Sequence, residues 1–197
     1  MLMRRQSRAR GFTLIELLVT ITVLGIVLML GLPNISAWLQ NTQIRNSAEA
    51  TVSGLQLART EALRRNRLVR FSLVDTLDAS CSLIATAGNW VVSMADPSGK
   101  CDVDPSDTAD PFIVQKRSGQ EGSQNAVFNA SAASVTFNGL GSANGAVQIT
   151  VSNPSGGACK TPAGNEPMRC LQVNVSSSGS VRMCDPAVSD ATDPRKC

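Results

Sequence analysis

The chain has no histidine and no tyrosine in 197 residues, and aromatic side chains make up only 4% of it. Those absences remove the usual general base, the commonest metal ligand and the phenolic acid or base together, so the composition speaks against an enzyme. Six cysteines are present, but no two have Cys-x-x-Cys spacing, which leaves a zinc or dithiol redox site with little support. No metal and no cofactor are expected. Strong net charge is also missing. The formal charge is +3, and setting aside Arg4, Arg5, Arg8 and Arg10 leaves 14 basic against 15 acidic groups, so a globally basic nucleic-acid binder is not indicated.

What is present is concentrated near the start. Phe12 to Leu32 is a run of 21 residues with one charged side chain, Glu16. At 1.5 Å per residue such a run can cross a hydrocarbon core of about 30 Å as a helix. The four arginines before it have no acidic neighbours, and the positive-inside bias holds them in the cytoplasm and sends the rest of the chain outward. A cleaved secretory signal would have a shorter apolar region followed by small residues at a cut site on its outer side. Here the small residue, Gly11, lies on the inner side, which suits a protease that leaves the apolar segment on its product.

Glu16 has its own physical logic. A carboxylate within a bilayer costs on the order of 2.5–3.5 kcal/mol on insertion scales and persists where it finds a partner. Cleavage after Gly11 would create a free amine on Phe12, four residues away on the same helix face. The amine of a neighbouring subunit would neutralise the acid and also fix the axial offset between two otherwise featureless apolar helices.

The stretch Gly11-Phe12-Thr13-Leu14-Ile15-Glu16-Leu17 resembles the prepilin motif of type IV pilins and pseudopilins, complete over all its positions. The resemblance implies cleavage by a membrane-embedded prepilin peptidase between Gly11 and Phe12, methylation of the new amine, and delivery to a filament machine. It makes Gly11 the cleavage determinant, Phe12 the new N-terminus and Glu16 the registration charge.

Beyond the apolar run, Ile44, Ala48, Val52, Leu55, Ala58 and Ala62 recur at three- and four-residue steps, predicting an amphipathic stalk helix that ends near Asn66. Gly31 and Pro33 are expected to bend or loosen the helix between the two parts. Glu61 and Arg65 are spaced to pair. The run Leu55 to Asn66 is similar to the stalk end of the GspH/FimT group.

From Leu68 onward, short runs rich in Val, Ile, Phe and Thr alternate with turn residues and read as strands. They are Leu68–Val74, Ser82–Ala85, Trp90–Met94, Phe112–Lys116, Ala126–Phe128, Ser134–Phe137, Val147–Val151, Cys170–Val175 and Ser180–Met183. Residues 96–111 read as an exposed loop; they are rich in Asp but lack the ligand order of an EF-hand. Residues 45–70 carry six Arg and two Glu, whereas 75–110 carry seven Asp and one Lys, so charge is polarised along the chain. The expected fold is α+β and pilin-like, a long N-terminal helix (transmembrane half plus amphipathic stalk) packed on a C-terminal antiparallel β-sheet domain. The expected segments are a leader at 1–11, a transmembrane and filament-core helix at 12–32, a stalk at 33–66 and a β-rich domain, periplasmic and then extracellular, at 67–197.

Cys81, Cys101, Cys159, Cys170, Cys184 and Cys197 all follow the apolar segment, as an oxidising compartment allows. Sequence alone does not fix their connectivity. Sequential pairing is the expectation, because each neighbouring pair closes a short loop containing Gly, Pro or Asp. A bridge to Cys197 would also tie down the tail.

The C-terminal stretch Ser178-Gly179-Ser180-Val181-Arg182 is similar to the end of FimT-type minor pilins, where a Gly-Arg-x-Arg motif is associated with DNA binding during uptake. Gly179 and Arg182 match it, and Ser180 stands in place of the first Arg. Arg169, Arg195 and Lys196 are candidates to supplement Arg182 if the tail folds back, with Asp185, Asp190 and Asp193 opposing them. The resemblance as a whole implies a minor pilin of a type IV pilus, its partners being other pilin subunits, the prepilin peptidase, the inner membrane and, weakly, double-stranded DNA. The alternative is an H-type pseudopilin of type II secretion.

Overall fold

The computed structural model describes residues 12–197, apart from the side chains of residues 30–34. The leader and Gly11 lie outside the described residues. Helix α1 has the bounds Leu14–Arg65. The chain divides into two compact units, Met1–Ser36 and Ala37–Cys197.

In the first unit, every large apolar side chain from Phe12 to Met29 is at least half exposed. Thr20 and Thr22 turn their hydroxyls back onto the helix carbonyls of Leu17, Leu18 and Val19, so these polar groups are satisfied locally. The backbone amide of Glu16 donates to the Thr13 hydroxyl at 3.3 Å, which caps the first turn. Gly31 and Pro33 fall inside the bounds of α1, and their side-chain surroundings lie outside the described residues. Among the described residues, no helix is long and apolar enough to cross a membrane. Of the run from Phe12 to Leu32, the described helical side chains extend only from Leu14 to Met29.

The second unit holds the rest of α1 and eight strands in two antiparallel four-stranded sheets. These are β1 (Val69–Val74), β2 (Asn89–Ser93), β3 (Ile113–Arg117), β4 (Val127–Ala130), β5 (Ser134–Phe137), β6 (Val147–Ser152), β7 (Leu171–Val175) and β8 (Val181–Cys184). The orders are β3-β2-β1-β5 and β4-β6-β7-β8. The helix with its antiparallel sheets is the α+β, pilin-like architecture that the sequence led one to expect.

The stalk stripe is buried at Ile44, Ala48, Leu55, Ala58 and Ala62, half-buried at Val52, and widened by the buried Ser47 and Thr51. It packs with Val69, Phe71, Leu73, Trp90 and Val92 of the first sheet and with Phe128, Ile149, Val151 and Val173 of the second. Small side chains let the helix approach both sheets closely. Gly54 is one such close approach. A Cβ built there would sit 2.9 Å from the Phe71 ring and 3.0 Å from the Trp90 ring, two rings that themselves lie 5.5 Å apart.

The first sheet is covered on both faces, which is why β1 is almost continuously buried instead of alternating. Phe71 and Leu73 face the helix. Val74, Val91 and Ile113 face the other way, into a smaller core with Cys81 and Cys101 at the root of the segment between β1 and β3. Lys116 fastens that root, its ammonium donating to the carbonyls of Cys101, Asp102 and Val103 at 3.0, 2.9 and 3.1 Å. Asp102, Asp104, Asp107 and Asp110 are exposed, as the loop reading requires.

Ser82–Ala85 does not form a strand. β5 occupies the edge of β1 only from Val69 to Ser72, leaving room at the end of β1 for a single bridge, Val74 to Leu83. Helix α1 stops at Arg65 because Asn66 takes φ 50°, and the amide of Arg67 then donates to the Ala62 carbonyl at 3.2 Å. Glu61 accepts from Arg64 at 2.7 Å and Arg65 at 2.6 Å, and the first of these contacts is the main reason its carboxyl titrates below the usual range. Arg65 also reaches Asp107 at 2.7 Å, linking the end of the helix to the acidic loop.

Replacing Gly54 with alanine gains about 1 kcal/mol of helix propensity but forces the Phe71–Trp90 pair to move, at a cost of about 1–3 kcal/mol. The expected outcome of Gly54→Ala is a net loss of about 1 kcal/mol, read by denaturant unfolding of the full chain in detergent.

Candidate functional site: the C-terminal hairpin, its tail and the adjoining cleft

β7 and β8 pair in the register Gln172↔Cys184, Val173↔Met183, Asn174↔Arg182 and Val175↔Val181. Their turn closes with Gly179 N–H donating to the Ser176 carbonyl at 2.8 Å, and Gly179 has φ 81°. A Cβ at that position would run into the carbonyl oxygen of Gly141. Glycine is therefore required here by the turn and by close packing, independently of any ligand.

After β8 the tail returns along the strand. The Asp185 amide donates to the Arg195 carbonyl at 2.7 Å, and Asp185 and Lys196 form a bridge. Cys184 and Cys197 are joined by a disulfide with a Cα separation of 5.1 Å. Arg182 is exposed, and its Nη2 donates to the tail carbonyls of Pro194 and Lys196 at 2.6 and 2.8 Å. The other two disulfides join Cys81 to Cys101 and Cys159 to Cys170, with Cα separations of 6.0 and 5.4 Å.

The remaining cations are held by their neighbours. Arg169 donates to Asp185 at 3.1 Å through Nε and 2.5 Å through Nη2, and the Asp185 side chain, 5% exposed, also accepts from the Ala187 amide at 2.9 Å. Arg195 meets Asp193 at 2.6 Å, and this contact pulls the Asp193 carboxyl down to about 2. Lys196 Nζ donates to the Ser189 carbonyl at 3.3 Å. Asp190 accepts from both the amide and the hydroxyl of Thr192, which hold its carboxyl below the usual range.

Arg169 and Arg195 line a cleft of about 470 Å³. Its other walls are Trp38, Asn41, Thr42 and Arg45 of α1, with Leu171 of β7, Met183 and Cys184 of β8, and Asp185. Asn41 positions this wall, its Nδ2 donating to the Pro167 carbonyl at 3.0 Å and its Oδ1 accepting from the Arg169 amide at 2.6 Å. Side chains alternate along a strand, so Arg182 points to the face of β8 opposite Met183, and it does not line the cleft. Of the five residues singled out for DNA, Arg169 and Arg195 line the cleft, Arg182 is bonded to the tail carbonyls on either side of Arg195, Lys196 is on the tail and Gly179 is in the turn. Sequence reasoning missed the cleft. The available signal was Trp38, one of only two tryptophans, on a helix stretch outside the apolar stripe. Among the described residues, no group of three or more Cys, Asp and Glu could hold a metal ion.

The helix packed on two antiparallel sheets and the stapled C-terminal hairpin define a pilin-like subunit. Residues 47–187 match the family model described as Type II transport protein GspH, and residues 6–32 match the prokaryotic N-terminal methylation motif. The chain belongs to the GspH family and carries that N-terminal motif. Among solved structures, the fold is similar to the crystal structure of the type IV minor pilin FimU of Pseudomonas aeruginosa, at TM-score 0.50 and 15% identity over 76% of this chain and 94% of that one. A second crystal form of FimU aligns at TM-score 0.48 and 13% identity, covering 75% and 97%. At 15% identity the first of these likenesses speaks for the fold alone. None of the curated proteins compared with the chain matches it.

Proposed function

We propose that this chain is a structural minor subunit of a type IV pilus, anchored in the inner membrane until it is built into the filament. The observation that carries the reading is the sequence motif Gly11–Leu17 at the start of an apolar stretch whose described large side chains, from Phe12 to Met29, are at least half exposed. Each of those side chains stabilises its surroundings by about 1.5–3 kcal/mol when fully covered, so the helix requires lipid or other helices around it. The apolar run continues in sequence to Leu32, long enough to span the bilayer with the arginine-rich leader in the cytoplasm and the disulfide-bearing domain in the periplasm.

Prepilin peptidase cuts after Gly11, the Phe12 amine is methylated, and Glu16 then finds the amine of a neighbouring subunit inside the apolar filament core. The role is assembly, with no catalytic step in this chain. A second reading, an H-type pseudopilin of a type II secretion system, is favoured by the description of the matching family. Both readings use the same N-terminal physics. They separate on whether deletion of the chain abolishes pilus-dependent traits or protein export.

DNA contact during uptake is a subordinate part of the proposal and rests on Arg182. Counterion release scales with the number of cations that meet phosphates. Arg169 and Arg195 are already neutralised by Asp185 and Asp193, so the affinity is weak and its salt dependence shallow.

Glu16→Ala leaves cleavage and membrane insertion intact and reduces the chain recovered in sheared filaments by about tenfold or more, measured by quantitative immunoblot, because an intramembrane charge pair is lost. Incorporation equal to the unaltered chain rules out the registration role. In a mobility-shift assay with double-stranded DNA at low salt, Arg182→Ala removes the residual shift; retention unchanged by the substitution removes Arg182 from the account.

A further inference from the structure

The opening turns of α1 in the second unit carry Trp38 and Arg45, which belong to the wall of the cleft. Trp38 is 66% exposed, whereas Trp90, the other tryptophan, is 3% exposed in the core. Leu39 beside it is half exposed. An open indole, with an apolar body and one polar N–H, suits the boundary between hydrocarbon and water. The chain itself brings that boundary near. Trp38 follows Leu32, the last residue of the apolar run, by six residues, and six residues span at most about 20 Å at whatever angle the two units meet. The headgroup layer is roughly 5–8 Å deep on each side of the hydrocarbon core. With Phe12–Leu32 spanning the bilayer as proposed above, the cleft is within reach of phospholipid headgroups, and in this respect the inference rests on the anchored reading.

The charges of the cleft suit such a neighbour. Arg169 keeps 51% of its side chain exposed against 5% for Asp185, and Arg195 keeps 62% against 18% for Asp193. In each pair the cation is therefore the partner presented to solvent. The pairs use Nε and Nη2 of both arginines and leave their Nη1 groups over. Arg45, the most exposed of the three cations, bonds Glu49 through Nε. A phosphate oxygen can accept from the donors that remain without breaking the ion pairs. Leu171 and Met183 add apolar lining to the same cleft. A phosphate carried on a glycerol ester meets both kinds of surface, which a free anion does not.

We infer that the cleft of Trp38, Arg169 and Arg195 binds the headgroup of an anionic phospholipid while the chain is anchored in the membrane. Because the ion pairs stay in place, each contact is weak. The anchor compensates by holding cleft and headgroups together at high effective concentration, so contacts too weak to capture a free ligand suffice. DNA in solution has no such tether, which is why the same paired arginines add little there. The site is filled in the membrane stage and vacated when the subunit leaves the bilayer for the filament.

The test uses the full-length chain reconstituted into vesicles of brominated phosphatidylcholine, alone or mixed with brominated phosphatidylglycerol. Trp38 is the probe, since Trp90 lies in the core. The expected result is quenching of tryptophan emission about twofold or more stronger in the anionic vesicles, a difference that high salt removes. Arg45→Gln combined with Arg195→Gln also removes it, and this pair of substitutions spares the partner of the buried Asp185, so that the fold, checked by circular dichroism, is kept. Arg64→Gln, in the last turn of α1, leaves the difference unchanged. Equal quenching in both vesicles, or a difference that survives the double substitution, overturns the headgroup site and leaves the anchored reading standing, including where Trp38 emission responds instead to inorganic phosphate or double-stranded DNA added in solution. Chain that floats with neither vesicle overturns both.

Discussion

An apolar helical stretch whose described large side chains are at least half exposed sets the terms for the rest of this molecule. Phe12, Leu14 and Met29 are more than four-fifths exposed, in a stretch whose one charge is Glu16. Water is the least favourable surrounding for such a surface, and two surroundings suit it in turn: a bilayer, and a bundle of like helices. On the proposed reading, the same carboxylate that is costly in lipid would serve as a registration device in a bundle where a neighbour supplies the opposite charge, so that one sequence segment would account for both a membrane stage and a filament stage.

The second unit answers a different requirement. A domain of this size with one helix and two small sheets has limited core, and small residues compensate by bringing backbones close. Ala48, Ala58 and Ala62 have zero exposure, and Gly54 admits the Phe71–Trp90 pair. Three disulfides close the loops that the two sheets leave outside: one beneath the acidic segment, one before β7 and one across the tail. Each contributes roughly 2–4 kcal/mol, mainly by restricting the unfolded chain. The C-terminal hairpin is consequently a stiff platform, and its arginines are held in set positions instead of being free to gather.

Much of this could be read from the residues because local physics agreed with global physics. The stalk stripe, the turn-bounded strands and the short spacings between successive cysteines are short-range signals, and the helix end at Asn66 follows from the same kind of local chemistry. Ser82–Ala85 was misread as a strand because its composition resembles one while its pairing depends on how far β5 reaches along β1. The double burial of the first sheet was invisible for a related reason: Val74, Val91 and Ile113 come from three strands and meet only after folding. The candidate site was the least legible part. The expectation that Arg169, Arg195 and Lys196 could supplement Arg182 depended on the tail folding back; the tail does return beside Arg182, but Arg169 and Arg195 enter ion pairs with Asp185 and Asp193 that depend on where it returns. The cleft, walled by α1 and the β7–β8 hairpin, has no contiguous signature at all.

The account stands on a freed, methylated Phe12 at the tip of an apolar helix packed among others. Intact-mass and N-terminal peptide analysis of the chain recovered from sheared filaments tests this most directly. The prediction is a species that begins at Phe12, carries one additional methyl group on its amine and lacks the arginine-rich leader. Filament-borne chain that still begins at Met1 contradicts the account.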